Sequence, residues 1–438
     1  MNIAVVGGGL AGLAIALGSE QDGHQVTLFE ASNELGGRMK TLDVNGHPLD
    51  AGFHVLHTAY PALNRWMDVA ALEGKPMDAC TMTIRPSTGK RRVLGDALHA
   101  PRYLLPTLRS VGVMDGLRFL RWRLGTPGRD LERSMDSPTP TIKEGLKQRN
   151  FKPSTRCVLE PLFAGITLDP SLSERMAFAN FAWGAMSHGK MIVPQKGIAA
   201  VPHQLASRLE TTTVQLNTCV DAVSATTVQA NGETMQFDRV VLAVPQHVAL
   251  EVFPPLAGAH KPVERLTSTV VFIAPSPPYL QGRLLLNEEW GQSGNDVLHV
   301  HLPTNLHPHP EGEHWVVATL VGAAATSPDV ESVRRELRTW FGETVNEWGH
   351  LATTTVRHAL PQIDPNHHER FLPEIEIEGV LLAGDHRAHP SVQGTLRSAE
   401  RILEHLKIPI PRTVSYTHLT LPTILLCRSR WSPYHLKK

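Results

Sequence analysis

Three groups of residues in this chain have the types and spacing that chemistry needs. The first is Gly7-Gly8-Gly9-Leu10-Ala11-Gly12, set between the apolar run Asn2-Ile3-Ala4-Val5-Val6 and a second run, Gln25-Val26-Thr27-Leu28-Phe29, that ends on Glu30. A glycine-rich turn alone says little. A β-branched run, a G-x-G-x-x-G turn, an Ala/Leu-rich stretch and a second strand closing on an acid make a complete dinucleotide-binding unit. Gly7 allows the tight turn, Gly9 lets backbone approach a pyrophosphate, and Gly12 lets a helix pack close to the strand. The diphosphate would rest on free N–H groups where Leu10 and Ala11 open the helix, and Glu30 would accept from both ribose hydroxyls. The second group is Gly36-Gly37-Arg38: two positions of close backbone approach, then a fixed guanidinium fork suited to a phosphate. The third runs from Gly384-Asp385-His386-Arg387 to Ser391-Val392-Gln393-Gly394.

The elements that must hold these groups follow from periodicity. Residues 379–383 read as a buried strand, and Val392, Leu396, Ala399, Leu403 and Leu406 recur at helical spacing. One face of that helix packs on a sheet, leaving its N-terminus, near Gln393 and Gly394, to point at a ligand. Residues 49–56 read as a strand entering a turn, and residues 61–185 as helices broken by proline. Residues 214–225, 227–237, 239–245, 267–274 and 315–322 read as strands, with helices at 202–209 and 330–341. A chain of 438 residues exceeds one ordinary core, so two domains are expected.

The extended fingerprint through Gly36-Gly37-Arg38 resembles that of the flavin amine oxidase, protoporphyrinogen oxidase and phytoene desaturase superfamily. So do Asp50-x-Gly52-x-His54 running into Ala59-Tyr60-Pro61, the strand ending at Pro245, and the Gly384-Asp385…Gly394 segment. The resemblance covers nearly all of residues 1–411. It implies an α/β fold with a Rossmann-type FAD-binding domain, an interleaved α+β substrate domain and a helical cap. Residues 1–60, 190–250 and 352–411 would form the FAD domain, and 61–189 and 251–351 the substrate and cap domain. It also implies FAD, held non-covalently because no cysteine lies near Asp385, with Val220 beside the adenine and Asp385 at the ribityl or pyrophosphate. The Gln393–Gly394 helix start would stabilise a reduced flavin's negative edge.

Such a protein is expected to be an FAD-dependent oxidoreductase that dehydrogenates or desaturates a hydrophobic molecule of isoprenoid, carotenoid or porphyrinogen type. With no second glycine fingerprint for a nicotinamide, the electrons would pass to oxygen, a quinone or another flavin acceptor. Strict amine oxidases frame the amine with aromatics before the C-terminal signature and often carry a lysine by the flavin. Here Phe371 is the one aromatic between Leu351 and Gly384, and 267–274 has no lysine. Amine oxidation stays as the alternative; from another class, a non-redox isomerase or a module that only binds FAD. His54, His386 and Arg387 are the catalytic candidates, with His54 also weighed as a turn cap.

Acidic and basic residues balance at 42 each, which points away from a nucleic-acid partner. Four scattered cysteines (Cys80, Cys157, Cys219, Cys427) fit a reducing, cytoplasmic compartment and no disulfide framework. The histidines at 299, 301, 307, 309 and 314 lack acidic or cysteine partners at ligand spacing, so no metal is expected. The N-terminus lacks a basic leader and is read as the glycine unit, not a signal peptide. Residues 109–124 mix bulky apolar side chains with arginines. They read as a core helix with a solvated face, with peripheral contact at the inner face of the membrane as the alternative. Residues 412–438 fit no superfamily pattern and resemble a translated sequencing-adapter tail. They are treated as non-native, the alternative being a C-terminal anchor.

Overall fold

In the computed structural model, the described residues are 1–126, 130–135, 139–258, 264–280, 282–362 and 374–411. The expectation for the tail at 412–438 lies outside them, as do Phe371 and Cys427.

Asn2–Val6 is buried on both sides, so its apolar run needs neighbours on both edges. It finds them in Gln25–Phe29 and Arg239–Leu242, both parallel to it. The sheet extends through Thr213–Gln215 on one side, and through Val380–Leu382 and Glu376–Ile377 on the other. The helix Leu10–Gln21 crosses from the first strand to the second and packs against Val392–His405, where Gly18 lies beside Leu403. Segments from the start, middle and end of the chain thus share one sheet, as parallel crossovers require.

A second sheet of seven strands runs Gly349–Pro361, Glu264–Ala274, His314–Val321, Val297–His301, Leu284–Asn287, Cys80–Arg85, Lys90–Gly95. Its side chains alternate with period two. Val270, Phe272, Leu285, Ala318 and Leu320 face a core covered by the helix Val330–Phe341, through Val333, Leu337 and Trp340. The other face turns toward the cavity described below. Over it lie the cap helices, including Val113–Leu124, Ile142–Gln148, Pro153–Thr167 and Met176–His188. Trp122 and Trp183 stack at 4.6 Å within the cap, and Thr141 and Glu144 close a capping box on Ile142–Gln148.

Four expectations need correction. Residues 61–185 are not helices throughout: Cys80–Arg85 and Lys90–Gly95 pair as a hairpin at one edge of the second sheet. The boundary at 351/352 cuts through Gly349–Pro361, which pairs along Glu264–Ala274 as the edge of the second sheet. Its alternation marks a strand but not which sheet owns it. Residues 227–237 are not one strand but a hairpin, Thr227–Ala230 and Glu233–Gln236, because Asn231 and Gly232 take φ of 54° and 79°. Residues 214–225 divide into Thr213–Gln215 and Val220–Val223, in different sheets, broken where Asn217 takes φ 52°.

Candidate functional site

The glycine turn is shaped as its spacing requires. Gly7 sits at φ 107°, and a Cβ there would come within 2.6 Å of the Ala243 carbonyl oxygen. At Gly12 a Cβ would lie 1.9 Å from the Gly7 carbonyl oxygen, so the helix can approach the strand only without a side chain. Gly9, the helix N-cap, is the opposite case: a Cβ would meet nothing within 4 Å. That open space belongs to a cavity of about 630 Å³ lined by Gly7, Gly9, Leu10, Ala11, Glu30 and Arg38. Gly12 packs behind it. Glu30 is fixed by N–H donors from Gly8 at 2.7 Å and Ser32 at 2.9 Å. The turn is a cradle that a side chain at Gly9 would fill, and it fits a dinucleotide's diphosphate.

The two ends of the chain meet here. Arg38 donates from Nη2 to Asp385 Oδ1 at 2.7 Å and from Nη1 to the Ala359 carbonyl at 2.9 Å. The fork expected to await a phosphate therefore also ties the N-terminal fingerprint to the C-terminal signature, and both residues line the cavity. Gly37, at φ 59°, brings its backbone against Gly9, where a Cβ would lie 3.2 Å from the Gly9 Cα. Val220 and Gly384 line the same cavity, the latter at φ 134° with its N–H donated to Ser398 Oγ.

His54 faces the cavity, its Nδ1 lying 3.2 Å from the Gly52 carbonyl oxygen. Asp50 does not. It accepts from Thr41 Oγ1 at 2.6 Å and Ile198 N–H at 2.8 Å, joining the front segment to the returning chain. Burial raises its carboxyl above the usual range, against the opposing pull of His54 and these donors.

His386 and Arg387 are not among the residues lining the cavity. His386 packs on Gly384, while the Arg387 guanidinium is pushed down to about 10 by burial and by Arg401. Gln393 turns its side chain the other way: Oε1 accepts the Ala62 N–H at 2.8 Å and holds the start of the helix Pro61–Trp66. Gly394 is needed for packing, because a Cβ would lie 2.1 Å from the His389 carbonyl oxygen. At this helix start the cavity is lined by Ser391, Val392 and Thr395. A turn such as G-D-H-R cannot reveal from composition which side chains it points inward.

The far wall was not legible. It combines Phe178, Phe181 and Met186 from a cap helix, Leu162 and Ile166 from another, and a row across the second sheet. In that row Leu284 pairs with Thr81, and His299 with both Leu286 and Thr319. Among the described residues its lining carries no lysine, and the carboxylates that line it, Glu30 and Asp385, stand on the dinucleotide side. The histidines fall into this packing. Phe53 sits edge-on to His299 and His301, at 4.9 and 4.7 Å. Burial and His54 push His301 down to about 3, and burial alone holds His57 at about 4, so both are neutral. His307 bonds the Val193 carbonyl, and His309 packs on His47 and Trp315. Among the described residues, no cluster of three or more His, Cys, Asp or Glu stands at metal-ligand geometry.

A further buried network escaped the sequence reading. Ser391 Oγ and His389 Nδ1 stand 2.9 Å apart, and His389 Nε2 is 3.0 Å from Glu132 Oε1. Burial raises the Glu132 carboxyl, but His389, Gln393 and Arg397 together hold it below its usual range. Ionised Glu132 can only accept, so the His389 Nε2–H donates to it, and Nδ1 shares the second hydrogen bond with the Ser391 hydroxyl.

Fold and site together define a flavin-dependent oxidoreductase of α/β FAD-binding architecture. A family model for flavin containing amine oxidoreductases matches residues 10–402, and the chain belongs to that family. Over 52 residues it is 48% identical to 4,4'-diapophytoene desaturase (4,4'-diaponeurosporene-forming) of Staphylococcus aureus (strain Newman), a stretch that is 12% of this chain and 10% of that protein. The match thus spans about a tenth of the curated relative's length. Among solved structures, a protein of Exiguobacterium sp. 255-15 provisionally named protoporphyrinogen oxidase superimposes with a TM-score of 0.68 at 16% identity, over 93% of this chain and 98% of that one. Cyclohexylamine oxidase of Brevibacterium oxydans IH-35A gives 0.64 at 15% identity, over 93% and 99%. At such identities the likeness is one of fold. No helix among the described residues is long and apolar enough to cross a membrane.

Proposed function

We propose that the chain binds FAD non-covalently and dehydrogenates a hydrophobic substrate of isoprenoid, carotenoid-precursor or porphyrinogen type, with oxygen or a quinone taking the electrons. The observation that carries this reading is the split lining: polar and glycine-rich on the dinucleotide side, apolar on the other. An ammonium substrate is best held by a carboxylate at the apolar end, and among the described residues both lining carboxylates stand at the other.

When bound, the flavin supplies the two-electron acceptor. The chain's residues do the rest. Glu30, held by two backbone donors, is placed to take a ribose hydroxyl, and the Gly9 backbone leaves room for the diphosphate. Phe178, Phe181, Leu284 and Leu286 exclude water and grip the apolar substrate. His54 is the cavity's candidate for receiving a proton, its Nδ1 turned to Gly52. Cys80 and Cys157 do not line the cavity. Cys219 does, beside Thr218, whose N–H bonds the Glu30 carbonyl. The thiol thus lies near Glu30, the residue expected at the ribose, which supports non-covalent attachment.

The test is anaerobic mixing of the purified yellow protein with phytoene, protoporphyrinogen or cyclohexylamine, followed by absorbance. Bleaching by either of the first two, and release of intact FAD on denaturation, is expected. Bleaching by the amine alone would replace this reading with amine oxidation. Conversion of substrate without bleaching or acceptor would indicate an isomerase.

A further inference from the structure

The helix Val113–Leu124 is amphipathic in the reverse sense. At 100° per residue, Val113, Leu117, Leu120 and Leu124 form one stripe, flanked by Met114 and Arg121. Asp115 and Trp122 lie on the opposite face, and they are the two buried residues of the helix. The apolar stripe faces water: Val113 is 65% exposed, Leu117 55% and Leu124 71%. The preceding helix, Leu104–Val111, adds Leu105 at 62%. Among the described residues, eight of the eleven exposed large apolar side chains fall between 98 and 124, seven of them on these two helices, which pack on each other. The core-helix expectation for 109–124 therefore holds only for the Trp122 face.

The exposed charges of the two helices have one sign. Arg109 and Arg121 are exposed beside it, and the single acid of both helices, Asp115, is buried and paired with Arg118, Thr155 and the Lys152 N–H. We propose that this helical pair is a docking surface for a lipid bilayer carrying anionic headgroups, into which the leucine stripe inserts while Arg109 and Arg121 meet the phosphates. A second copy fits less well. A self-complementary dimer through this patch would bring the same uncompensated arginines together. The patch lies on the helix whose Trp122 stacks on Trp183, and Trp183 belongs to the helix that lines the cavity through Phe178 and Phe181. The surface is thus built on the cap itself.

The test is flotation of the full-length holoprotein with vesicles of phosphatidylcholine alone or mixed with phosphatidylglycerol. Binding to the mixed vesicles, weakened by salt, is expected. Leu105→Glu combined with Leu117→Glu should lower it roughly a hundredfold. Both sites are exposed, so an unchanged flavin spectrum will show that the fold survives. Arg109→Gln with Arg121→Gln should abolish the preference for the anionic vesicles. Failure of the wild type to float with either vesicle overturns the proposal. So does equal binding by the Leu→Glu variant. A dimer that the same substitutions dissolve would assign the patch to a second copy instead.

Discussion

The cavity has two halves, built by different means. The dinucleotide half centres on one turn, closed from afar by Asp385 on Arg38, and three glycines of that turn decide what fits: at Gly12 a side chain collides with backbone at 1.9 Å, while at Gly9 it would meet nothing. The substrate half comes from a row of side chains across a sheet, such as Thr81 beside Leu284 and Leu286 beside His299, with two cap helices facing it. The first half is specified by local spacing and tolerates no added methyl where backbones touch. The second is specified by long-range register and tolerates changes of shape at a cost in packing.

The sharpest way to break the contrast is Gly12→Ala. Its collision is with a backbone carbonyl that cannot rotate away, so the loss should exceed the ~1–3 kcal/mol usual for overpacking. Insoluble protein without flavin is the expected outcome on expression. In the other half, Phe181→Ala removes a ring that stacks on Tyr60 at 5.6 Å. It should cost about 3–5 kcal/mol in urea unfolding while the protein still takes up flavin.

A pH experiment separates the second sheet from the first. Burial raises the Glu336 carboxyl to about 7, against N–H bonds from Val297 and Asp296. The folded chain keeps this proton up to about 7, whereas the unfolded chain loses it near 4.5. This carboxyl's contribution is therefore fully present below 4.5, declines as pH rises, and is gone above 7, a span of about 3 kcal/mol. Unfolding measured across that interval should show a flatter slope in Glu336→Gln than in wild type. The smallest effect in stability is the most informative about the cradle. Gly9→Ala should leave the melting temperature of the flavin-free protein unchanged and weaken flavin binding roughly ten- to a hundredfold. Equal affinity would mean that the open space at Gly9 is not where the diphosphate rests.

How much was legible follows the same division. The unit from Asn2 to Glu30 could be read residue by residue because each role depends on neighbours within one turn. The helix Val330–Phe341 was legible to its ends from its apolar spacing, and in the structure Asp329 caps it and Gly342 stops it. Wall residues such as His299 and Thr319 carried no signal: they meet only through strand register. Gln393, His386 and Arg387 sat in the right segment, but the side of a turn that faces a cavity depends on what packs behind it. In Gln393 that is the N-terminus of Pro61–Trp66, hundreds of positions away in sequence. The Asn231-Gly232 turn was readable and was passed over.

The central strand also sets the order in which this molecule can be made. The Asn2 N–H bonds Asp238, 236 positions on, and the strand beyond that, Val380–Leu382, is synthesised later still. At about 5–20 residues per second, Ile3, Val5 and their hydrogen-bonding edge wait some tens of seconds on the ribosome for a partner. Through that interval the nascent chain offers whatever is nearby an apolar strand with one open edge, the other being available to Gln25–Phe29 early. The half-made chain, more than the finished one, is where crowding does its damage and where a chaperone has most to protect.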